Sequence, residues 1–153
     1  MVVRGFGQVA DGLRLKELPR PADAAQPVQE HLQPSPALSI ILNGPKRFTG
    51  RKVGALVTDG VDSAMVHALK TALEAEGALL EIIAPQVGGV EASDGSWIEA
   101  AQQLRGAPSV LYDAVVLLPS ADGVEDLVQE PTARDFVADA FAHCKFIGYV
   151  EAV

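Results

Sequence analysis

The sequence predicts a doubly wound α/β fold, in which helices cover both faces of a parallel sheet. Short, nearly continuous apolar runs, typical of strands buried on both faces, alternate with stretches in which apolar residues recur every three or four positions. The chain has 153 residues, of which 48% are hydrophobic and 21% charged, values that suit one globular domain with a packed core.

The first part of the chain is predicted to precede this domain. Residues 1–18 include a helical spacing over 9–18 that is too short to be stable alone in water, so we interpret it as the end of a neighbouring region. Residues 19–51 are predicted to be an extended linker, because repeated prolines break any helix there, and the apolar run at 37–42 is expected to dock along the domain. The domain itself is predicted to comprise residues 52–153.

Four strands are expected within the domain, with helices between them. A helix is predicted to start at Val61 and to stop at Gly77, and helical spacing returns between the third and fourth strands. Ser93, Asp94 and Gly95 lie between short alternating segments, which indicates a hairpin that we expect at the sheet's edge. The predicted strands cover residues 52–57, 78–84, 112–119 and 146–150.

The end of the sequence supports a further expectation. A buried strand in such a sheet is normally followed by a helix that covers it, yet the sequence stops at Val153, just after the fourth strand. We therefore expect the domain to be truncated at its C-terminal end.

Composition excludes several classes of partner and site. A net charge of −8 argues against binding to nucleic acid or to an anionic membrane, and only residues 46–52 are locally basic. The single cysteine, Cys144, excludes an intrachain disulfide and a multi-thiolate zinc site, and fits a reducing compartment. No apolar stretch is long enough to span a membrane, and no signal peptide is visible, so a cytoplasmic location is predicted.

Ligands of open α/β sheets bind beyond the carboxyl ends of the strands, which directs attention to residues 58–62, 119–122 and 148–153. Asp59 and Asp62 oppose a phosphate cradle in the first of these loops, and capping of the following helix is the favoured interpretation. Ser120 follows a strand but has no histidine placed to activate it.

Cys144 is the one potential nucleophile. It precedes the fourth strand, near a helix end, where the helix dipole raises rather than lowers a thiol pKa, so an inert structural cysteine is favoured. The remaining candidates are weak as well. The three histidines are not spaced as metal ligands, and two aspartates one helical turn apart are explained by a solvated helix face. The glycine-rich spots lack the strand-then-helix setting of a dinucleotide-binding motif. These candidates are His31, His67, His143, Asp135, Asp139, Gly5, Gly7, Gly88 and Gly89.

An ordered series of motifs resembles the C-terminal domain of large-subunit haem catalases. Residues 34–40 (PSPALSI) and 49–57 (TGRKVGALV) resemble the junction into that domain. Residues 91–95, 106–110 and 112–116 resemble its hairpin and third strand, and residues 9–13 the end of the catalase helical region. The resemblance implies a flavodoxin-like domain similar to the ThiJ/PfpI and class I glutamine amidotransferase-like superfamily.

The resemblance also implies a parent enzyme. That enzyme would be a homotetrameric haem catalase, an oxidoreductase that disproportionates hydrogen peroxide, with the catalase core and neighbouring subunits as partners of this domain. The family's haem-binding residues have no counterpart here, so no catalytic, cofactor or metal residue is carried over to this chain. In the superfamily's nucleophile elbow, Glu151 replaces the cysteine, and Asp59 stands where an elbow-facing acid would be.

Three hypotheses of function follow. The first is a non-catalytic accessory domain that serves the stability, assembly or folding of the catalase. The second is a small ThiJ/PfpI-like hydrolase or aldehyde-detoxifying enzyme that uses Cys144. The third is a flavodoxin-like binder of a nucleotide or flavin.

Overall fold

The computed structural model describes residues 7, 9–18, 20–29 and 31–151, and its main feature is a five-stranded parallel sheet. The order of the strands across the sheet is β5-β2-β1-β6-β7, and β3 pairs with β4 in a separate antiparallel hairpin. This arrangement confirms the predicted doubly wound α/β class. The strands are β1 Lys52–Val57, β2 Leu79–Ala84, β3 Gly89–Glu91, β4 Trp97–Glu99, β5 Gln102–Gln103, β6 Ala114–Leu118 and β7 Phe146–Tyr149.

Three helices flank the sheet, and side chains cap their first turns. They are α1 Ser63–Ala75, α2 Ala121–Gln129 and α3 Pro131–Ala142. The Asp62 carboxylate accepts hydrogen bonds from the backbone N–H groups of Ala64 (2.8 Å) and Met65 (3.3 Å), which confirms its predicted role as a helix cap. Gly77, with φ of 68°, follows α1 as predicted.

The core has two layers, one on each side of the sheet. Alternate residues of β1 point to opposite faces, so Ala55 and Val57 belong to one layer and Leu56 to the other. The first layer includes residues of the β3–β4 hairpin. The second includes Tyr112 and Phe136, whose ring centroids are 6.4 Å apart.

The chain forms two compact units, Met1–Gly44 and Pro45–Val153, and the sheet lies in the second. In the first unit, the segment that the sequence predicts to be an extended linker, residues 19–51, includes a 3-10 turn, Pro36–Leu38, and a short helix, Ile40–Asn43. The Asn43 side-chain amide donates to the carbonyl oxygens of Pro36 (2.7 Å) and Ala37 (3.1 Å), which stabilises this local structure.

Two details of the sheet differ from the prediction. The edge strand β5 was not predicted, because two glutamines carry no apolar signal and their side chains are half-buried. The hairpin was expected at the sheet's edge, but β3 contacts the loop after the central strand β1: Gly60 N–H donates to the carbonyl oxygen of Glu91 at 2.7 Å. Val90 and Ile98 are buried in the core, which explains why the hairpin packs inward.

Candidate functional site

The point at which the strand order reverses lies between β1 and β6, and this is where an open α/β sheet offers a crevice to a ligand. Thr58 follows β1, and Ser120 is the N-cap residue of α2, two residues after β6. Ser120 N–H donates to Thr58 Oγ1 at 2.8 Å, and Ser120 Oγ donates to the carbonyl oxygen of Asp59 at 2.6 Å. The two strand ends are therefore joined directly by hydrogen bonds.

Close packing fills the same crevice. Thr58 is only 5% exposed, and a Cβ atom added to Gly123 in α2 would lie 2.0 Å from Thr58 Oγ1. Gly123 N–H is engaged as well, because it donates to Ser120 Oγ at 3.0 Å. Protein atoms thus close the gap directly between these two strand ends, and the remaining open space lies beside it, in a cavity that Thr58 and Gly123 help to line.

Asp59 is bound to the hairpin and does not cap α1. Its carboxylate accepts from Glu91 N–H at 2.9 Å, while Gly60 N–H donates back to Glu91. A phosphate cradle needs several free backbone N–H groups, and those of Gly60 and Glu91 are already used. These two N–H groups are therefore not free to bind a phosphate in this conformation.

Carboxylates surround a small cavity beside this junction. The cavity has a volume of about 340 Å³, and its acidic lining residues are Asp59, Asp122, Asp126 and Glu130. Hydrogen bonds from Thr132 lower the pKa of Glu130, and Arg105, 3.4 Å away, acts in the same direction. A cavity lined mainly by acidic side chains disfavours anionic ligands.

A hydrogen-bonded carboxylate secures the tip of the hairpin to α1. Asp94 accepts from Ser63 Oγ at 2.5 Å and from Ser96 Oγ at 2.6 Å. These hydrogen bonds, first that from Ser63, lower the pKa of Asp94 to about 2. Asp94 is thus a structural residue that fixes the hairpin beside the end of β1.

Glu151 lies at the same carboxyl end of the sheet as Asp59, but the two carboxylates are not in contact. Glu151 is exposed and follows β7, and β6 separates β7 from β1. Strand spacing puts β1 and β7 roughly 10 Å apart. Among the described residues, the hydrogen bond of the Asp59 carboxylate goes to Glu91 N–H and not to Glu151.

Cys144 lies at the amino end of β7, opposite the strand-end crevice. Its thiol is exposed, and its backbone is left-handed, with φ of 55°. Cys144 N–H donates to Phe141 and Lys145 N–H donates to Ala140, the pair of bonds that defines a Schellman motif at the end of α3. Cys144 therefore occupies the position that glycine usually takes after a helix.

Replacing Cys144 by glycine should stabilise the chain by about 1 kcal/mol, because a side chain in the left-handed region is strained. Urea denaturation followed by circular dichroism measures the change. The comparison variant is Gly77→Ala, which places a side chain at the equivalent position of α1, at φ of 68°, and should destabilise by at least as much, because its Cβ would also lie 3.2 Å from Thr49 Cγ2. A Cys144→Gly variant less stable than the parent chain would mean that the thiol contributes packing.

The other residues considered in the sequence analysis do not come together in one site. His31, His67 and His143 are exposed, and among the residues that the structure describes no group of three or more His, Cys, Asp or Glu could hold a metal ion. Asp135 and Asp139 lie one turn apart on α3. Gly5 lies outside the described residues, and Gly88 and Gly89 lead into the hairpin.

Thr58 is the site residue that the sequence analysis missed. In the sequence, Thr58 is only a hydroxyl residue directly after a buried strand. Its role can be inferred only when Ser120, 62 residues later, is known to be its neighbour.

Comparison with known proteins identifies relatives of the chain. Residues 49–152 match the family model of the C-terminal domain found in long catalases. The chain is 62% identical to catalase C of Rhizobium meliloti over 145 residues, which are 95% of this chain and 21% of that protein. It is 34% identical to catalase HPII of Mycobacterium avium over 92% of this chain and 19% of that protein. The chain thus spans about a fifth of the length of these relatives.

Solved structures support the fold. A DJ-1 superfamily protein of Salmonella typhimurium matches with a TM-score of 0.59 and 26% identity, over 65% of this chain and 54% of that one. A ThiJ/PfpI family protein of Pseudomonas syringae matches with a TM-score of 0.58 and 18% identity, over 78% and 49% of the two chains. These matches confirm the flavodoxin-like fold. In addition, none of the described helices is long and apolar enough to cross a membrane.

Proposed function

Because this chain belongs to the family of C-terminal domains found in long catalases, we propose that it is a non-catalytic accessory domain. Its parent enzyme disproportionates hydrogen peroxide to water and oxygen, and the domain serves the stability, assembly or folding of that enzyme. The observation that carries the proposal is the closed crevice between β1 and β6, where Ser120 N–H donates to Thr58 Oγ1 at 2.8 Å.

The position of Cys144 also favours an accessory role over a hydrolase. A superfamily enzyme would need its nucleophile beyond the carboxyl end of a strand, whereas Cys144 precedes β7 and ends a helix. Asp59 and Glu151 are proposed to be the vestige of the superfamily elbow. Two carboxylates without a hydrogen bond to each other do not form a paired acid and base, and neither replaces the thiol nucleophile of the superfamily elbow.

Haem belongs to the parent enzyme in this proposal. The described histidines are exposed and far apart in the chain. Tyr112 is buried in the core, and burial raises the pKa of its hydroxyl. A raised pKa disfavours the phenolate form, which is the form that a metal would bind. These residues do not fit a haem, so we assign no catalytic step to one in this chain.

The catalase core and neighbouring subunits of a homotetramer are the proposed partners, in the cytoplasm. Residues 52–153 are the proposed domain, preceded by a linker at 19–51 and by the end of the catalase helical region at 1–18. Exposed apolar side chains in the first unit support a partner surface, because a chain segment with little core of its own must pack elsewhere. Examples are Val28, Leu32 and Leu38, which are 70%, 74% and 83% exposed.

The test uses catalase C of Rhizobium meliloti with its matching 145 residues removed. The shortened enzyme should keep peroxide turnover per haem but lose activity at a lower temperature and form fewer intact oligomers. Adding this chain separately should restore part of that loss. The chain alone, supplied with haemin, should consume peroxide no faster than haemin does.

Two results would contradict the proposal. One is a shortened catalase with unchanged heat stability and assembly. The other is turnover of peroxide by this chain above the haemin control, or turnover of an aldehyde that is lost on Cys144→Ser.

A further inference from the structure

The outer face of the β3–β4 hairpin carries an exposed aromatic ring between two carboxylates. Val90 and Ile98 are buried in the core, so the residues next to them along each strand point outward. Trp97 lies directly opposite Glu91, and Glu99 follows two residues later on the same face. Trp97 is 64% exposed, and both glutamates are exposed. The hairpin therefore presents one large aromatic surface and two acids to its surroundings.

Glu91 and Trp97 are close enough to contact the same group of a partner. Ala92 N–H donates to the carbonyl oxygen of Ser96, which marks a hydrogen-bonded pair one step nearer the tip of the hairpin. In an antiparallel ladder such pairs alternate with non-hydrogen-bonded pairs, whose Cα atoms are only about 4.5 Å apart. Glu91 and Trp97 form a pair of this second kind, in which the side chains lie close together.

The loop after β1 holds this part of the hairpin in place. Glu91 N–H donates to the Asp59 carboxylate at 2.9 Å, and Gly60 N–H donates to the carbonyl oxygen of Glu91 at 2.7 Å. Asp59, Glu91 and Trp97 also line an open hollow of about 640 Å³, whose two charged lining residues are both acidic. A fixed surface of carboxylates beside an indole ring favours a cationic group.

Other parts of the second unit do not supply that cation. The ion pairs of the described residues use other carboxylates, so within this part of the chain no lysine or arginine neutralises Glu91 or Glu99. The hairpin follows β2, which lies three strands away from β7 in the sheet. The paired carboxylates are those of Asp113, Glu81, Glu74 and Glu130.

We propose that this hairpin face binds an arginine side chain of the parent catalase, presented by the part of that enzyme outside this chain. A guanidinium group is planar, so it can stack on the indole ring while it donates to a carboxylate at the edge of the ring. The net charge of −8 favours a basic partner surface, and about four-fifths of the length of the long relatives lies outside this chain. The inference rests on the accessory role proposed above, and specifies where the domain contacts its enzyme.

Fluorescence reports directly on the hairpin, because Trp97 is the only tryptophan in the sequence. The probe is the peptide acetyl-Gly-Arg-Ala-Arg-Gly-amide, and the control peptide carries neutral citrulline in place of both arginines. The arginine peptide should change the emission saturably, with an affinity that falls as salt is added, whereas the citrulline peptide should not. Glu91→Gln and Glu99→Gln should each weaken binding by about two- to fivefold. Glu76→Gln is the matched control, since it removes an exposed charge at the end of α1, and should leave binding unchanged.

The shortened catalase C of Rhizobium meliloti tests the source of the arginine. The unmodified chain, added separately, should restore heat stability to the shortened enzyme, and the Trp97→Ala and Glu91→Lys chains should each require a concentration about tenfold higher or more. Glu76→Lys reverses a charge away from the hairpin and should act like the unmodified chain. Circular dichroism and melting curves establish that each variant is folded.

Failure of this contact can be distinguished from failure of the accessory role. An unmodified chain that does not restore the shortened enzyme would contradict the accessory role, and with it the catalase as the source of the arginine. Equal restoration by Trp97→Ala and Glu91→Lys would overturn the hairpin contact alone, as would Trp97 emission that the arginine peptide leaves unchanged. A dimer of the unmodified chain that Trp97→Ala dissociates would also overturn it, because this face would then belong to a second copy.

Discussion

Replacing Tyr112 by alanine should destabilise the second unit by about 3–5 kcal/mol, a large share of the stability of a domain of this size. Tyr112 is 2% exposed and packs in one core layer with Phe136. Its ring also covers Gly54 of β1, where an added Cβ atom would lie 2.8 Å from the ring. No smaller side chain fills this space, so alanine leaves a cavity between the sheet and α3.

Tyr112→Phe is the matched control, because it keeps the ring and removes only the hydroxyl. That hydroxyl is buried without a hydrogen bond of good geometry to any described residue. Its removal should change the free energy of unfolding by less than about 1 kcal/mol. Urea denaturation of both variants measures the difference. A phenylalanine variant as unstable as the alanine variant would contradict the role assigned to the ring.

The parent chain and Tyr112→Phe should also differ in their stability in alkali. Burial raises the pKa of Tyr112, and the Glu81 carboxylate acts in the same direction. Because the unfolded phenol ionises near its ordinary value of about 10, Tyr112 contributes stability that is present below that pH and is lost as the pH rises above it. Tyr112→Phe should therefore lose less stability between neutral pH and pH values above 10 than the parent chain does.

The sequence predicts the sheet well because each of its main strands carries an apolar pattern, although β7 is itself largely exposed. β1, β2, β6 and β7 all appear as short apolar runs, and their bounds agree with the structure to within two residues. The cap at Asp62 is equally local, since its partners follow it directly. Interactions between near neighbours in the chain can be inferred without knowledge of the fold.

The closed crevice could not be predicted in this way. Thr58 and Ser120 look like ordinary polar residues after strands, and their hydrogen bond depends on which strands become neighbours in the sheet. The same limit applies to the hairpin, because the contact between Gly60 and Glu91 joins two loops that the sequence separates. The residues at the strand ends show in the sequence alone that a catalytic constellation is not expected, but the closure between them depends on the three-dimensional fold.

Replacing Gly123 by alanine is expected to be the second most disruptive change, through the closed crevice. An alanine Cβ at this position would lie 2.0 Å from Thr58 Oγ1 and 2.5 Å from Thr58 Cβ. Thr58 has little freedom to move, because its Oγ1 accepts from Ser120 N–H. Separation of the two strand ends should cost about 1–3 kcal/mol for overpacking, and about 1 kcal/mol more for a lost hydrogen bond.

Whether Gly123→Ala lowers or raises the free energy of unfolding distinguishes the effect of overpacking from that of helix propensity. In an unconstrained helix, alanine is more favourable than glycine by about 0.5–1 kcal/mol. Gly106→Ala is the matched control, since nothing lies within 4 Å of the Cβ atom that would be added there. Gly106→Ala should be close to neutral, and Gly123→Ala clearly destabilising, when both are measured by urea denaturation.

A double-mutant cycle with Thr58→Ala connects this result to the function. Thr58→Ala removes the atom nearest to the added Cβ, so the double variant should be more stable than the sum of the single effects predicts, by about 0.5–3 kcal/mol. Such coupling would establish that β1 and β6 are joined tightly at the place where related folds admit a ligand. A stable Gly123→Ala variant would mean that this crevice opens readily, and the accessory role would then lose the observation that carries it.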